Sequence, residues 1–329
     1  QLMLGGMYVR GQGVAQNSKE AVKLYQMAAA QGDATAQFIL GMMYHRGKNI
    51  SQDGKEAVKW YKLAAERGSA TAPFILGLMY SKGQGISQNY EQAIKWYQLA
   101  AEQGNASAQF NLGSMYINGQ GVVQNHPKAV KWFKLAAEQG NALAQWNLGL
   151  MYDRGDGVSQ DYQEAMKWYR LAAEQGNASA QFNLGSMYDQ GKGVPQDYTE
   201  KLKWLQMAAE QSDALAQLNL GVMYEGGKGV PQNYTEAVKW YRLAAEQGNA
   251  TAQSNLGWMH SKGHGAPQNN VLSYMWFNIA MANTDNDERE VLRVVRNSVA
   301  TFMTAKQINQ AQTLAKQCTT NKFKGCYKM

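Results

Sequence analysis

The sequence predicts an all-α solenoid, a stack of antiparallel helix pairs, on three observations. A Leu-Gly pair recurs at 4/5, 40/41, 76/77, 112/113, 148/149, 184/185, 220/221 and 256/257, each step being 36 residues with no insertion. Seven residues after each leucine stands a glycine, from Gly11 and Gly47 through Gly263. Tryptophan sets a second register at 60, 96, 132, 168, 204, 240 and 276, with Leu24 in the first unit and an Ala-Ala pair four residues behind, from Ala64-Ala65 to Ala244-Ala245. A fixed period of this length marks a repeat architecture and overrides the two-domain prior that 329 residues would carry.

Each element follows from its residues. In the first helix of a unit (helix A, 105–118), Asn105 is the expected cap, and Ala108, Leu112, Gly113 and Tyr116 point inward. Gly119 and Gly121 end it with a tight loop, since glycine alone takes positive φ freely. The second helix (helix B) opens on an expected capping box, Asp161 with Glu164 or Asp197 with Glu200, and likewise Asn233 with Glu236 and Asn17 with Glu20. Ala165, Trp168, Tyr169, Ala172 and Ala173 share one face at 3.6-residue spacing, and Gly176 closes the helix. Short loops force the helices antiparallel, and one pair cannot bury its apolar face alone, so pairs stack.

Three units depart from the pattern. Lys201 replaces an alanine and Ser212 a closing glycine; Asn49 replaces a loop glycine; Pro73 falls in a first turn, where proline is tolerated. Local adjustment is expected at the first two of these units. The period stops after about residue 283, where helices are expected over 286–302 and, behind a Thr304 cap, 305–317. The predicted organisation is eight repeats over 1–282, the first truncated at its N-terminal side, and a helical cap and tail over 283–329 that covers the last repeat.

The formal charge of +7 is spread along the chain, which gives weak steering toward acidic partners and no nucleic-acid footprint. No apolar run approaches the roughly 18 residues of a membrane span. The two cysteines, Cys318 and Cys326, stand apart from the repeats, and a disulfide is the favoured reading over a redox or metal pair. That pairing favours a periplasmic or secreted location.

The unit A-x-A-Q-x-x-L-G-x-M-Y-x-x-G-x-G-V-x-Q-(D/N)-Y-x-E-A-x-K-W-Y-x-L-A-A-E-Q-G closely resembles the Sel-one-like repeat, a relative of the tetratricopeptide repeat. Ala178-Ser179-Ala180-Gln181 through Gly185, Tyr188, Gly191 and Gly193, then Ala208-Ala209, carries it. The resemblance implies a right-handed superhelix used as an adaptor or assembly scaffold, of a kind that bacteria often export for cell-envelope assembly or host contact. A cysteine-rich branch of the family is linked to penicillin binding or β-lactamase activity and ties each helix pair with a disulfide. No repeat here contains cysteine, so that activity is not expected of this chain.

Winding helix A at 100° per residue sets positions 107, 110, 111, 114 and 118 opposite the core set. By analogy with stacked helix pairs, that side lines a concave surface. Position 110 reads Phe38, Phe74, Phe110, Trp146, Phe182, Leu218 and Ser254. Position 111 reads Ile39 and Ile75, then Asn111, Asn147, Asn183, Asn219 and Asn255. Position 114 includes Leu78, Ser114, Leu150 and Trp258. The expected site is a groove that grips a peptide, with asparagines on its backbone and aromatics supplying buried area. The alternative is that the aromatics only pack on helix B. Trp146 and Trp258 are off-pattern and are expected to carry specificity. The helix B surface, with Lys62–Glu66, Lys134–Glu138 and Arg242–Glu246 pairs, reads as solvated.

No chemistry stands outside the repeat. His260 and His264 are separated by a helix end, so no metal site is expected, and no cofactor. The sequons at Asn105, Asn177, Asn233 and Asn249 fall at helix starts and read as caps. The expected function is a monomeric, non-enzymatic adaptor for a protein or peptide partner of the cell envelope or a host. The rival readings are a hydrolase of β-lactams or cell-wall peptide and a self-associating scaffold.

Overall fold

A computed structural model describes residues 1–47 and 50–326, and Asn49 therefore lies outside the described residues. Eighteen α-helices and no strand occur among the described residues. Helix A of each repeat is α1 (Leu2–Arg10), α3 (Ala34–Arg46), α5 (Ala72–Lys82), α7 (Ala106–Asn118), α9 (Ala142–Arg154), α11 (Ala178–Gln190), α13 (Ala214–Gly226) and α15 (Ala250–Lys262). Helix B is α2 (Ser18–Ala30), α4 (Gly54–Glu66), α6 (Tyr90–Glu102), α8 (His126–Glu138), α10 (Tyr162–Glu174), α12 (Tyr198–Glu210), α14 (Tyr234–Ala245) and α16 (Asn270–Ala282). Two helices follow, α17 (Asn286–Ala300) and α18 (Ala305–Thr320). The chain forms two compact units, Gln1–Trp168 and Tyr169–Met329.

The helix A caps expected at the asparagines form: the Asn105 side chain accepts from the Ala108 N–H at 2.9 Å, and Asn177 and Asn249 cap α11 and α15 likewise. The helix B caps need correction. The Asp197 side chain accepts from the Thr199 and Glu200 amides, but the reciprocal half of the box is replaced. The cap's own N–H donates instead to the tyrosine carbonyl of helix A, as Asp197 does to Tyr188 at 3.1 Å and Asn89 to Tyr80 at 2.9 Å. With that donor satisfied, the Glu164 and Glu200 carboxylates turn to the indole N–H groups of Trp168 and Trp204, at 3.1 and 3.0 Å. A full capping box occurs at Thr304 with Gln307, where α18 has no preceding repeat to supply a carbonyl.

The core of a repeat is built on glycine beneath an aromatic ring. Gly113 lies under Phe133, Gly77 under Tyr97 and Gly221 under Tyr241, each so close that a Cβ would meet the ring at 2.7 Å or less. The expected inward set therefore holds at Ala108, Leu112 and Gly113, while Met115 takes the fully buried place and Tyr116 is only half-buried.

A buried glutamine ties the pairs together. Gln109 donates to the Ala101 carbonyl at 3.0 Å and accepts from Gln139 at 2.7 Å. Gln181 and Gln217 repeat both bonds, to Ala173 and Ala209 and from Gln211 and Gln247. One side chain thus spans two successive pairs.

In the sixth unit the buried Lys201 ammonium pairs with Asp189 at 2.9 Å, and Ser212 keeps the left-handed turn of the glycine it replaces, at φ 67°. On helix B, the Arg242–Glu246 pair forms at 3.9 Å, whereas the Lys62 ammonium lies over the Tyr80 ring. The recurring ion pair is instead three residues apart, Glu56 with Lys59 and Glu236 with Lys239 among others.

Beyond the repeats, α17 and α18 both pack on α16. Ala311, Ala315 and Cys318 of α18 enter the last repeat's core, and Cys318 is bonded to Cys326 with a Cα–Cα separation of 5.2 Å.

Candidate functional site

The expected binding residues all stand on the helix A face, but they divide by what they already touch. Phe110 sits 5.8 Å from Phe133 and Phe74 6.1 Å from Tyr97, centroid to centroid, so both rings are half-buried against their own helix B. Phe182 packs similarly on the cluster around Leu205. Trp146 is half-buried, and its indole N–H is buried with no hydrogen-bond partner. Leu78 and Leu150 are half-buried beside them, and the Ser114 hydroxyl donates back to the Phe110 carbonyl at 3.0 Å.

The asparagines divide by one chemical difference, whether the preceding helix B offers a hydroxyl. Asn183 donates to the Tyr169 phenol at 3.0 Å, and Asn111 and Asn255 bond to the phenols of Tyr97 and Tyr241. Where phenylalanine or leucine stands in that place, at Phe133 and Leu205, no hydroxyl is offered. Asn147 and Asn219 then donate back along their own helices, to Leu143 and Leu215 at 2.8 Å. Beside those two asparagines, Leu143 and Leu215 are 49% and 50% exposed. Sequence reasoning missed both, although the signal is visible: position 107 is otherwise Thr or Ser, as in Thr35, Ser107 and Thr251.

Burial governs the electrostatics of these phenols. It pushes Tyr61 up to about 12 against the opposing Arg46 cation. Burial also raises Tyr97, with the Ser81 and Asn111 bonds pulling back, and raises Tyr241 with help from the Glu225 carboxylate that its hydroxyl bonds. Such phenols stay protonated and act as hydrogen-bonding struts. A depression of about 310 Å³ beside Tyr97 is lined by Leu78, Ser81, Lys82, Asn111 and Ser114.

Trp258 is 43% exposed and stands edge-on to Phe277 at 5.7 Å. It forms one wall of a cleft of about 610 Å³ against α17. The nearby histidines do not converge: His260 is buried with its pKa lowered by burial, while His264 stacks on Tyr234 at 4.4 Å. Among the described residues no group of three or more His, Cys, Asp or Glu is placed to hold a metal ion, and no helix is long and apolar enough to cross a membrane.

The Sel1 repeat family model matches residues 1–33, 34–69, 72–105, 106–141, 142–177, 178–213, 214–249 and 250–284. The chain belongs to the Sel1 repeat family. A Sel1 repeat protein from Oxalobacter formigenes is 34% identical and superposes with a TM-score of 0.73, over 89% of this chain and 85% of that one. The protein c5321, a protective antigen of uropathogenic Escherichia coli with the same repeat fold, is 32% identical over 100% of this chain and 86% of its own, with a TM-score of 0.49. No curated protein matches significantly. A stack of Sel1 repeats is a scaffold for protein–protein contact.

Proposed function

We propose that this Sel1 repeat chain is a monomeric, non-enzymatic adaptor that holds a protein partner on its helix A face. The observation that carries this is the pairing of half-exposed Leu143 and Leu215 with Asn147 and Asn219, whose amides reach no neighbouring helix. Exposed apolar groups beside adaptable amides are what a peptide backbone with side-chain anchors requires. In the N-terminal unit Trp146 and Leu150 extend the patch around Leu143 on α9, with Phe74, Leu78, Phe110, Asn111 and Ser114 as its supporting rows; in the C-terminal unit Phe182 and Asn183 form the supporting row for Leu215. The disulfide between Cys318 and Cys326 supports an oxidising compartment, and hence an envelope or host partner.

Cross-linking pull-downs test this reading, with the wild type and a Leu143→Asp/Leu215→Asp variant offered to envelope and host-cell extracts. Both leucines are half-exposed, so circular dichroism should find the variant folded. A partner held by the wild type and lost by the folded variant is the expected result. Equal capture by both would remove this face from the function. Hydrolysis of nitrocefin by the wild type would instead favour an enzyme.

A further inference from the structure

The helix α17 lies outside the repeats, and one apolar face of it packs on the last of them. Leu292 is buried on that face, with Val295 and Val299 packed beside it against Phe277 and Ala280 of α16. A cap with no other task would be polar elsewhere, as α18 is at Lys306, Gln310 and Lys316. The second face of α17 is apolar too: Val291 and Val294 are 62% and 70% exposed, and Phe302, just past the helix end, is 76% exposed.

Trp258 stands across from that face with its ring fixed edge-on to Phe277. The intervening cleft of about 610 Å³ falls within the range of roughly 300–1,000 Å³ common to ligand sites. Among the described residues no carboxylate lines it. Lys262 supplies the one charge, beside the hydroxyls and amides of Ser261, Ser298, Gln268 and Asn270. A second copy of a chain carrying +7 would bring like charge to this ammonium, whereas an acidic partner would not.

We propose that this cleft receives a segment of a partner protein carrying two large apolar side chains with a carboxylate beside them. The apolar groups rest on Trp258, Val294 and Phe302, and the carboxylate meets Lys262. The inference rests on the adaptor reading above and adds the chemistry of the partner. It also explains why Trp258 departs from its repeat position, filled elsewhere by Met42, Leu78 or Ser114.

The test selects random 12-residue displayed peptides against the folded wild type and measures fluorescein-labelled versions of the enriched sequences by anisotropy. Enriched peptides should carry at least two large apolar residues and a net negative charge. Trp258→Ala and the surface change Lys262→Glu should each weaken them at least tenfold, and Leu143→Asp should not. Peptides without acidic bias, or indifferent to both cleft variants, would overturn the proposal. Peptides lost only in Leu143→Asp would leave the adaptor reading standing and the cleft empty of a role. No enrichment at all would sink both. A concentration-dependent mass in light scattering, abolished by Val294→Asp, would assign the cleft to a second copy and overturn the acidic partner.

Discussion

Among the described residues, Gln37 is the one buried glutamine of its ladder whose carbonyl oxygen is left without a partner. Later units fill that bond from an amide thirty residues on, as Gln139 does for Gln109 and Asn283 for Gln253. Here the place belongs to Arg67, whose guanidinium lies against Gly32 instead. An unmet buried acceptor costs about 1–3 kcal/mol. Arg67→Gln is therefore expected to raise stability by about 1 kcal/mol, read as a higher urea midpoint at unchanged slope; an unchanged midpoint would show that the oxygen is already satisfied. His260 gives a second residue-level prediction. It occupies the position of Tyr116, Tyr152 and Tyr188 in other units, and burial lowers its pKa against a bond to the Pro267 backbone carbonyl that raises it. The unfolded chain takes up the proton near pH 6.5 while the folded one resists, so the stabilisation is present above about pH 6.5 and is lost as pH falls. One such proton limits the slope to about 1.4 kcal/mol per pH unit. His260→Tyr should flatten the fall in urea midpoint between pH 7.5 and 5.5, and an unaltered fall would clear His260 of it. His45, whose pKa burial also lowers, contributes in the same direction and keeps part of the slope in that variant.

At the scale of a helix pair, the contact between glycine and ring decides how closely two helices approach. A Cβ on Gly221 would stand 2.4 Å from the fully buried Tyr241 ring, whereas one on Gly185 would meet the branched tip of Leu205 at 3.2 Å. Gly221→Ala is accordingly expected to cost about 1–3 kcal/mol by overpacking. Gly185→Ala should lie within about 0.5 kcal/mol of the wild type, since the gain from replacing a mid-helix glycine offsets a mild clash. Thermal melts of the two variants compare them directly, and equal losses would show that the ring has room to move. The pairs themselves were legible because spacing alone places Leu112, Gly113, Trp168 and the Ala172-Ala173 pair on facing sides. The polar contacts were not. Gln109 reads as a surface residue because the carbonyl it bonds, that of Ala101, belongs to the preceding pair, and Glu200 reads as a capping group because the carbonyl of Tyr188 that displaces it comes from the preceding helix. The asparagine row looked uniform in sequence, and only the loss of a hydroxyl at Phe133 and Leu205 separates Asn147 and Asn219 from Asn183.

At the scale of the whole chain, a solenoid's stability is approximately a sum of repeat and interface terms, and its last repeat has no following neighbour to cover it. In the C-terminal unit that cover comes from α17, through Leu292, and from α18, whose Ala311 and Ala315 join the cluster around Trp276 and Tyr274. The disulfide is part of this packing, since Cys318 and Cys326 are both buried there. It closes a loop of eight residues, for which the chain-entropy argument gives roughly 2–3 kcal/mol. Because contacts in a solenoid are between neighbours, breaking the bond should loosen α18 and α16 and leave α11 nearly untouched. Hydrogen exchange on the oxidised and reduced protein reads this helix by helix. Faster exchange confined to α16 and α18 is the expected outcome. Protection unchanged at α18 would mean that apolar packing alone holds the cap, and faster exchange reaching α11 would mean that the C-terminal unit opens as one body instead of repeat by repeat.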